Sequence, residues 1–245
     1  MIAYYFRLAL RSFRRNKVLT ALMVIAIALG IGASMTTLTV FHVLSGDPIP
    51  QKSDRLFSVQ IDPQSALGYQ PGEEPADQLT RFDATKLLSE KHAKRQAMMT
   101  GGGVTIEPDN STLRPFSTDA RFTSGDFFPM FDSTFLYGQG WKETDDEGRG
   151  RVAVISKTLN QKLFDGANSV GKSLRLNGNT MTVVGVLNDW NPNPHFYDLN
   201  TGRYGDSEDV FVPFSTAIDL KFDRSGSMDC FGRRNEPDPI GLNAS

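Results

Sequence analysis

One cysteine, Cys230, stands in 245 residues, and the three histidines, His42, His92 and His195, lie far apart. A single thiol excludes an internal disulfide. No His-Glu-x-x-His segment and no cysteine pair occurs, so the ligand spacing of a zinc site is missing. No Gly-x-Ser-x-Gly nucleophile elbow is present. Asp189, His195 and Asp198 are close in sequence, but in a stretch broken by Pro192 and Pro194 they read as a solvated loop rather than an acid–base cluster. An enzyme is therefore not indicated, and no catalytic residue, bound cofactor or metal ligand is assigned. Internal repeats and low-complexity blocks are also lacking.

Acidic residues are absent from the first 46 positions, and charge of either sign is absent from Val18 to Leu44. Before that stretch come Arg7, Arg11, Arg14, Arg15 and Lys17. As a helix its 27 residues extend about 40 Å, and a bilayer core needs about 30 Å. A cleaved leader has an apolar core of roughly half that length and a small-x-small cleavage site, which Leu44-Ser45-Gly46-Asp47 does not supply. The spacing predicts a retained transmembrane helix over 18–45. Basic residues stay on the cytoplasmic side, so Arg7, Arg11, Arg14, Arg15 and Lys17 set the N-terminus inside and the rest outside. Residues 1–17 read as a basic amphipathic segment in the inner headgroup region, with four arginines on one face. Ala26, Gly30 and Ser34 recur every four residues, a smooth stripe on which another membrane helix packs closely.

The remainder, 46–245, holds 21 basic and 28 acidic residues and is net −7. That balance argues against a nucleic-acid partner. Asn110 and Asn243 begin sequons that matter only in a eukaryotic secretory route. Local patterns predict a strand over Arg55–Ile61, a loop over Ala66–Gln78 and a helix from an Asp83 cap to Met98, stopped by Gly101–Gly103. Strands follow at Val104–Glu107 and Pro115–Phe122, with Asp109-Asn110-Ser111 as the turn. Ser124 is expected to cap a short helix whose Phe127, Phe128, Met130 and Phe131 are core residues. A polar loop covers Gly138–Arg149. Val152–Ile155 reads as a strand, and Ser156 caps a helix over Lys157–Phe164. Asn177-Gly178-Asn179 between Leu174/Leu176 and Met181/Val183 is a hairpin signal. Trp190–Asp206 is a long loop, Val210–Pro213 a strand, and the tail from Asp223 is irregular. The fold class is α+β: one transmembrane helix, then a mixed α/β extracytoplasmic domain.

Gly166-Ala167-Asn168-Ser169-Val170-Gly171-Lys172-Ser173 matches the phosphate-loop pattern in full. That loop works only after a strand and before a helix, whose N-terminal amides hold the phosphates. Here a helix precedes and strand signals follow. Gly166, Gly171, Lys172 and Ser173 are therefore read as a false match: a turn whose glycines permit positive φ and whose lysine faces solvent.

Several segments carry a family resemblance. The run Phe6-Arg7-Leu8-Ala9-Leu10-Arg11-Ser12-Phe13-Arg14-Arg15-Asn16-Lys17 leads straight into the membrane helix. Ser124 to Phe131, Gly138-Gln139-Gly140-Trp141, Val152-Ala153-Val154-Ile155-Ser156, Leu163-Phe164, Val170-Gly171-Lys172 and Val183-Val184-Gly185-Val186 then follow in order. The series resembles the MacB/FtsX-type ABC transporter permeases with their MacB-like core domain. The resemblance implies a permease in a bacterial cytoplasmic membrane, with its large periplasmic domain between the first and second of four membrane helices and built of two subdomains. It implies an ABC ATP-binding subunit as partner, which consumes the ATP, and further permease helices or a second permease copy. Coupling of ATP hydrolysis to movement of the outer domain is the implied activity. The chain is expected to be incomplete at its C-terminal end. A single-pass anchored sensor or binding domain is the alternative.

Overall fold

A computed structural model describes residues 4–5, 16–47, 49–61, 78–108, 113–192, 194–198 and 205–225. Arg7, Arg11, Arg14, Arg15, Asn110, Cys230, Asn243, the Asp109-Asn110-Ser111 turn and nearly all of the 66–78 loop lie outside the described residues. The chain divides into two units, Met1–Pro48 and Ile49–Ser245.

The first unit contains helix α1, Lys17–Leu44. Its 28 residues, none of them buried, make it long and apolar enough to cross a membrane. The helix agrees with the expected 18–45 span within one residue at each end. Three of its hydroxyls bond within the helix: Thr36, Thr37 and Thr39 donate to the carbonyls of Gly32, Ala33 and Met35 at 2.9, 3.0 and 2.8 Å. Such back-bonding is what a hydroxyl in hydrocarbon would need, where no water replaces a lost partner.

The second unit is built on seven strands: β1 (Met99–Glu107), β2 (Phe116–Thr123), β3 (Phe135–Gly138), β4 (Val152–Ile155), β5 (Ser173–Leu176), β6 (Asn179–Leu187) and β7 (Val210–Pro213). Around them lie α2 (Arg81–Glu90), α3 (Phe127–Met130), α4 (Glu143–Glu147), α5 (Lys157–Phe164) and α6 (Phe214–Asp219). The order is β3-β6-β4-β7-β2-β1-β5, and β5 also pairs with β6. Six strands thus close into a ring, β6-β4-β7-β2-β1-β5 and back to β6, with β3 attached along the second half of β6. The pairs β2–β7 and β4–β6 are parallel and the rest antiparallel.

Alternation along the strands sorts the core onto two faces. One cluster draws on all six ring strands, with Val104, Ile106, Phe122, Ile155, Leu176, Met181, Val183 and Val212 among its members. Val154 and Phe211 point the other way and join Phe127, Phe128, Phe131 and Trp141 in a second, aromatic cluster. Among the described residues the strands of this unit belong to one sheet. β6 is nine residues long and reaches β3, β4 and β5, so among the described residues one set of ladders holds the whole unit together.

Several local expectations shift. Thr80, not Asp83, caps α2: its hydroxyl accepts from Asp83 N–H at 3.1 Å and donates to Asp83 Oδ2 at 2.6 Å. The helix stops at Glu90 because Lys91 turns left-handed at φ 51°. Gly101–Gly103 do not stop a helix but run inside β1, paired with Asp119–Arg121 of β2. Gly102 is needed there: a Cβ would meet the Asp223 carbonyl at 2.3 Å and the Phe122 ring at 2.5 Å. Arg55–Ile61 is not a ladder strand; a 3-10 turn, Ser53–Arg55, leads into chain with no strand partner among the described residues. Asp126 precedes α3 without a side-chain cap, whereas Ser124 accepts from Phe127 N–H through its carbonyl at 3.0 Å. The polar stretch 138–149 holds the short helix α4.

Candidate functional site

The glycine–lysine segment lies between α5 and β5. Ser156 caps α5, its Oγ accepting from Leu159 N–H at 2.9 Å and donating to Asp209 Oδ1 at 2.5 Å. The helix ends at Asp165, φ 55°, followed by Gly166 at φ 75° and Gly171 at φ 84°. A buried pair sets the turn: Asn160 Nδ2 donates to Ala167 O at 3.1 Å and accepts from Ser169 Oγ at 2.6 Å through Oδ1. Lys172 is exposed, with its ammonium 5.0 Å from the Phe164 ring, and Ser173 opens β5. The order is helix, turn, strand, so the segment runs from a helix C-terminus at Asp165 into β5 and opens no helix of its own.

In α1, Ala26, Gly30 and Ser34 are all exposed, and a Cβ on Gly30 would meet nothing within 4 Å. Lys17 opens the helix and is exposed.

The loop between β6 and β7 differs most from its reading as solvated. Arg121 of β2 is buried and donates to Glu208 Oε1 through Nε at 2.8 Å and again through Nη2. Nη2 also donates to Asp198 Oδ2 at 2.6 Å. Tyr197 donates to Glu208 Oε2 at 2.8 Å, and the guanidinium lies 5.1 Å from the Tyr197 ring. Burial alone would lower the Arg121 pKa, but Glu208 and Asp198 outweigh it and hold the value above the ordinary one. Burial, then the Glu208 charge, pushes the Tyr197 hydroxyl well above the usual phenol range. His195 is 2% exposed and stacks on Tyr197, and its Nε2 has no hydrogen-bond partner among the described residues. Asp189 instead reaches outward to Lys157 at 2.7 Å. The three acid–base candidates are thus separated: two inside, one on the surface. The sequence signal that was available is Arg121 itself, an arginine set between Ala120 and Phe122 in an otherwise inward-facing run.

A groove of about 1190 Å³ opens beside the aromatic cluster. Leu88, Met98, Phe128, Phe135, Trp141 and Phe214 give it apolar lining. Ion pairs Lys91–Glu143 (2.6 Å), Arg95–Asp126 (3.2 Å) and Arg149–Asp219 (2.8 Å) involve residues on its wall or rim. Asp146 accepts from Gly125 N–H at 2.7 Å and Trp141 Nε1–H at 2.8 Å. Burial, the largest effect, raises its carboxyl pKa despite those two donors. The groove is half open to solvent and holds no constellation of nucleophile and base among its lining residues. No group of three metal-ligating side chains occurs among the described residues.

Comparison with known proteins shows a family. Residues 20–235 match the MacB-like periplasmic core domain. The chain is similar to the macrolide export ATP-binding/permease protein MacB of Marinobacter nauticus, with 26% identity over 235 residues, 92% of this chain and 32% of that protein. The protein of the same name from Azoarcus sp. is 25% identical over 218 residues, 86% of this chain and 30% of that protein. The chain spans about a third of the length of these curated relatives. Among solved structures, the periplasmic region of MacB from Actinobacillus actinomycetemcomitans aligns with a TM-score of 0.44 and 17% identity, covering 61% of this chain and 62% of that one. The extracellular domain of the noncanonic ABC-type transporter YknZ from Gram-positive bacteria gives a TM-score of 0.44 and 16% identity, over 60% and 68% of the two chains. With a match that begins inside α1 and continues past every strand of the ring, this chain belongs to the MacB-like periplasmic core domain family.

Proposed function

We propose that this chain belongs to a permease subunit of an ABC-type exporter and is itself without catalytic activity. The observation that carries the reading is the family match over 20–235, which joins an apolar helix to the outer domain in one order. α1 anchors the protein in a bacterial cytoplasmic membrane. The basic residues Arg7, Arg11, Arg14, Arg15 and Lys17 hold its start inside, and the unit from Ile49 onward stands outside. An ABC ATP-binding subunit on the inner side hydrolyses ATP. Its movement passes through α1 and further permease helices, or a second copy, to the outer domain. Ala26, Gly30 and Ser34 form the face on which those helices pack.

The test is affinity purification of the full-length protein from detergent. The ATP-binding subunit is expected to co-elute. Gly30→Leu puts four carbons on the smooth face and is expected to reduce that co-elution several-fold. A protein that elutes alone, with or without the substitution, would sink the permease reading in favour of a lone anchor.

A further inference from the structure

The chain leaving α1 is caught within a few residues. Ile49 is 5% exposed, and its carbonyl accepts from Lys52 and Ser53 N–H at 2.9 and 3.0 Å. This turn directs Lys52 to the end of α3. The Lys52 ammonium donates to the carbonyls of Pro129 at 3.0 Å and Met130 at 3.2 Å, and to Asp132 Oδ1 at 2.5 Å. Three acceptors match the three donors of an ammonium group. The Lys52 hydrogen bond also holds the Asp132 carboxyl below the usual carboxylate range. α3 is itself embedded, because Phe127 and Phe128 are buried and lie 5.6 and 5.8 Å from the Phe211 ring on β7. Lys52 therefore links the start of the outer unit to its sheet, beside Gln51, whose side chain also hydrogen-bonds the Asp132 carboxyl, and Leu56, which packs against the aromatic cluster.

The backbone that follows joins no ladder among the described residues before β1. After Arg55 the chain runs over 56–61 with no strand partner among the described residues, and Phe57 is 80% exposed. The first ring strand begins only at Met99, 55 residues beyond Leu44. From Leu44 to Ile49 the five-residue tether allows at most about 18 Å. A pull or twist on α1 is taken up first at Ile49 and Lys52.

We infer that Lys52 is the mechanical anchor of the outer domain, the positioning residue through which displacement of α1 reaches α3 and then the sheet at β7. Asp132 and the carbonyls of Pro129 and Met130 are its fixed seat. This deepens the proposed coupling and rests on it. Loss of the anchor leaves the domain folded and the complex assembled, but lets α1 move without carrying the domain along.

The test uses the full-length permease with its ATP-binding subunit in lipid nanodiscs, in a Cys230→Ser background. A donor dye at Ala167→Cys and acceptor-labelled lipids read the height of the outer domain above the bilayer. ATP is expected to change the transfer efficiency of the parent protein. Lys52→Ala is expected to abolish at least four-fifths of that change, and Lys52→Arg to retain most of it. The Lys52→Ala protein is expected to stay folded at the assay temperature, with a subunit stoichiometry near the parent value. A parent that responds to ATP alongside an equally responsive Lys52→Ala overturns the anchor and leaves the permease reading standing. A parent with no ATP response overturns the coupling reading, and the anchor falls with it. Should Lys52→Ala prove unfolded, Asp132→Asn, which removes one of three acceptors, is expected to give a partial loss; a full response there overturns the anchor.

Discussion

At the residue scale, Arg121 holds the loop between β6 and β7 against the sheet. Replacing it with alanine leaves Glu208 and Asp198 deprived of their buried cation. Breaking a buried ion pair from one side costs about 3–5 kcal/mol. Arg121→Ala is therefore expected to lower the urea midpoint of the outer unit by that equivalent and to expose residues 190–208 to protease; an unchanged midpoint would refute the role. The Lys52–Asp132 contact carries a pH dependence. A carboxyl lowered in the folded state adds stability that is present above its unfolded pKa and lost as the pH falls through the folded value. The difference in melting temperature between the parent and Lys52→Ala is expected to be constant above about pH 5 and to narrow below about pH 4. Neither contact was legible beforehand. Arg121 and Glu208 are 87 positions apart, and Lys52 and Asp132 80 apart, so only the folded chain shows that they meet.

At the scale of elements, what was legible is what local chemistry decides alone. Ser156 capping α5 over Lys157–Phe164 was read from its position before an i, i+4 apolar pair, and Asn177-Gly178-Asn179 gave the β5–β6 turn. The readings that shifted were overruled by partners elsewhere in the chain. Gly101–Gly103 have poor strand propensity, yet β2 on one side and the chain near Ser225 on the other supply their hydrogen bonds. Leu56, Val59 and Ile61 read as part of a strand over Arg55–Ile61 but find no ladder among the described residues. The Ser156 cap also donates to Asp209, so Ser156→Ala is expected to cost about 1–2 kcal/mol in chemical denaturation, and a loss within error would show that the cap adds nothing.

At the scale of the whole molecule, the ring sets the folding route. Its closing pair, Ile106 with Leu176, joins residues 70 apart, and the parallel pairs β2–β7 and β4–β6 are likewise distant in sequence. Such topology folds in milliseconds to seconds rather than microseconds. Refolding followed by Trp141 and Trp190 fluorescence is expected in that window, and completion within about 100 microseconds would argue that the ring forms from local pairs first. The family assignment was legible at this scale because order and spacing survive where individual residues drift. The closed ring was not, because no local signal records which strands meet last.

A ring also changes where the domain is vulnerable. An open sheet ends in two strands whose backbone groups invite pairing with other chains, and it can lose an outermost strand by simply moving its border inward. Here each of the six ring strands has a neighbour on either side, so deleting any one of them creates two raw borders at once. The outer flank of β3 is the exception: four residues paired only with β6 among the described strands, with Leu136 41% exposed. Unwanted aggregation of this domain, and any strand lent to it by another protein, would begin on that short segment.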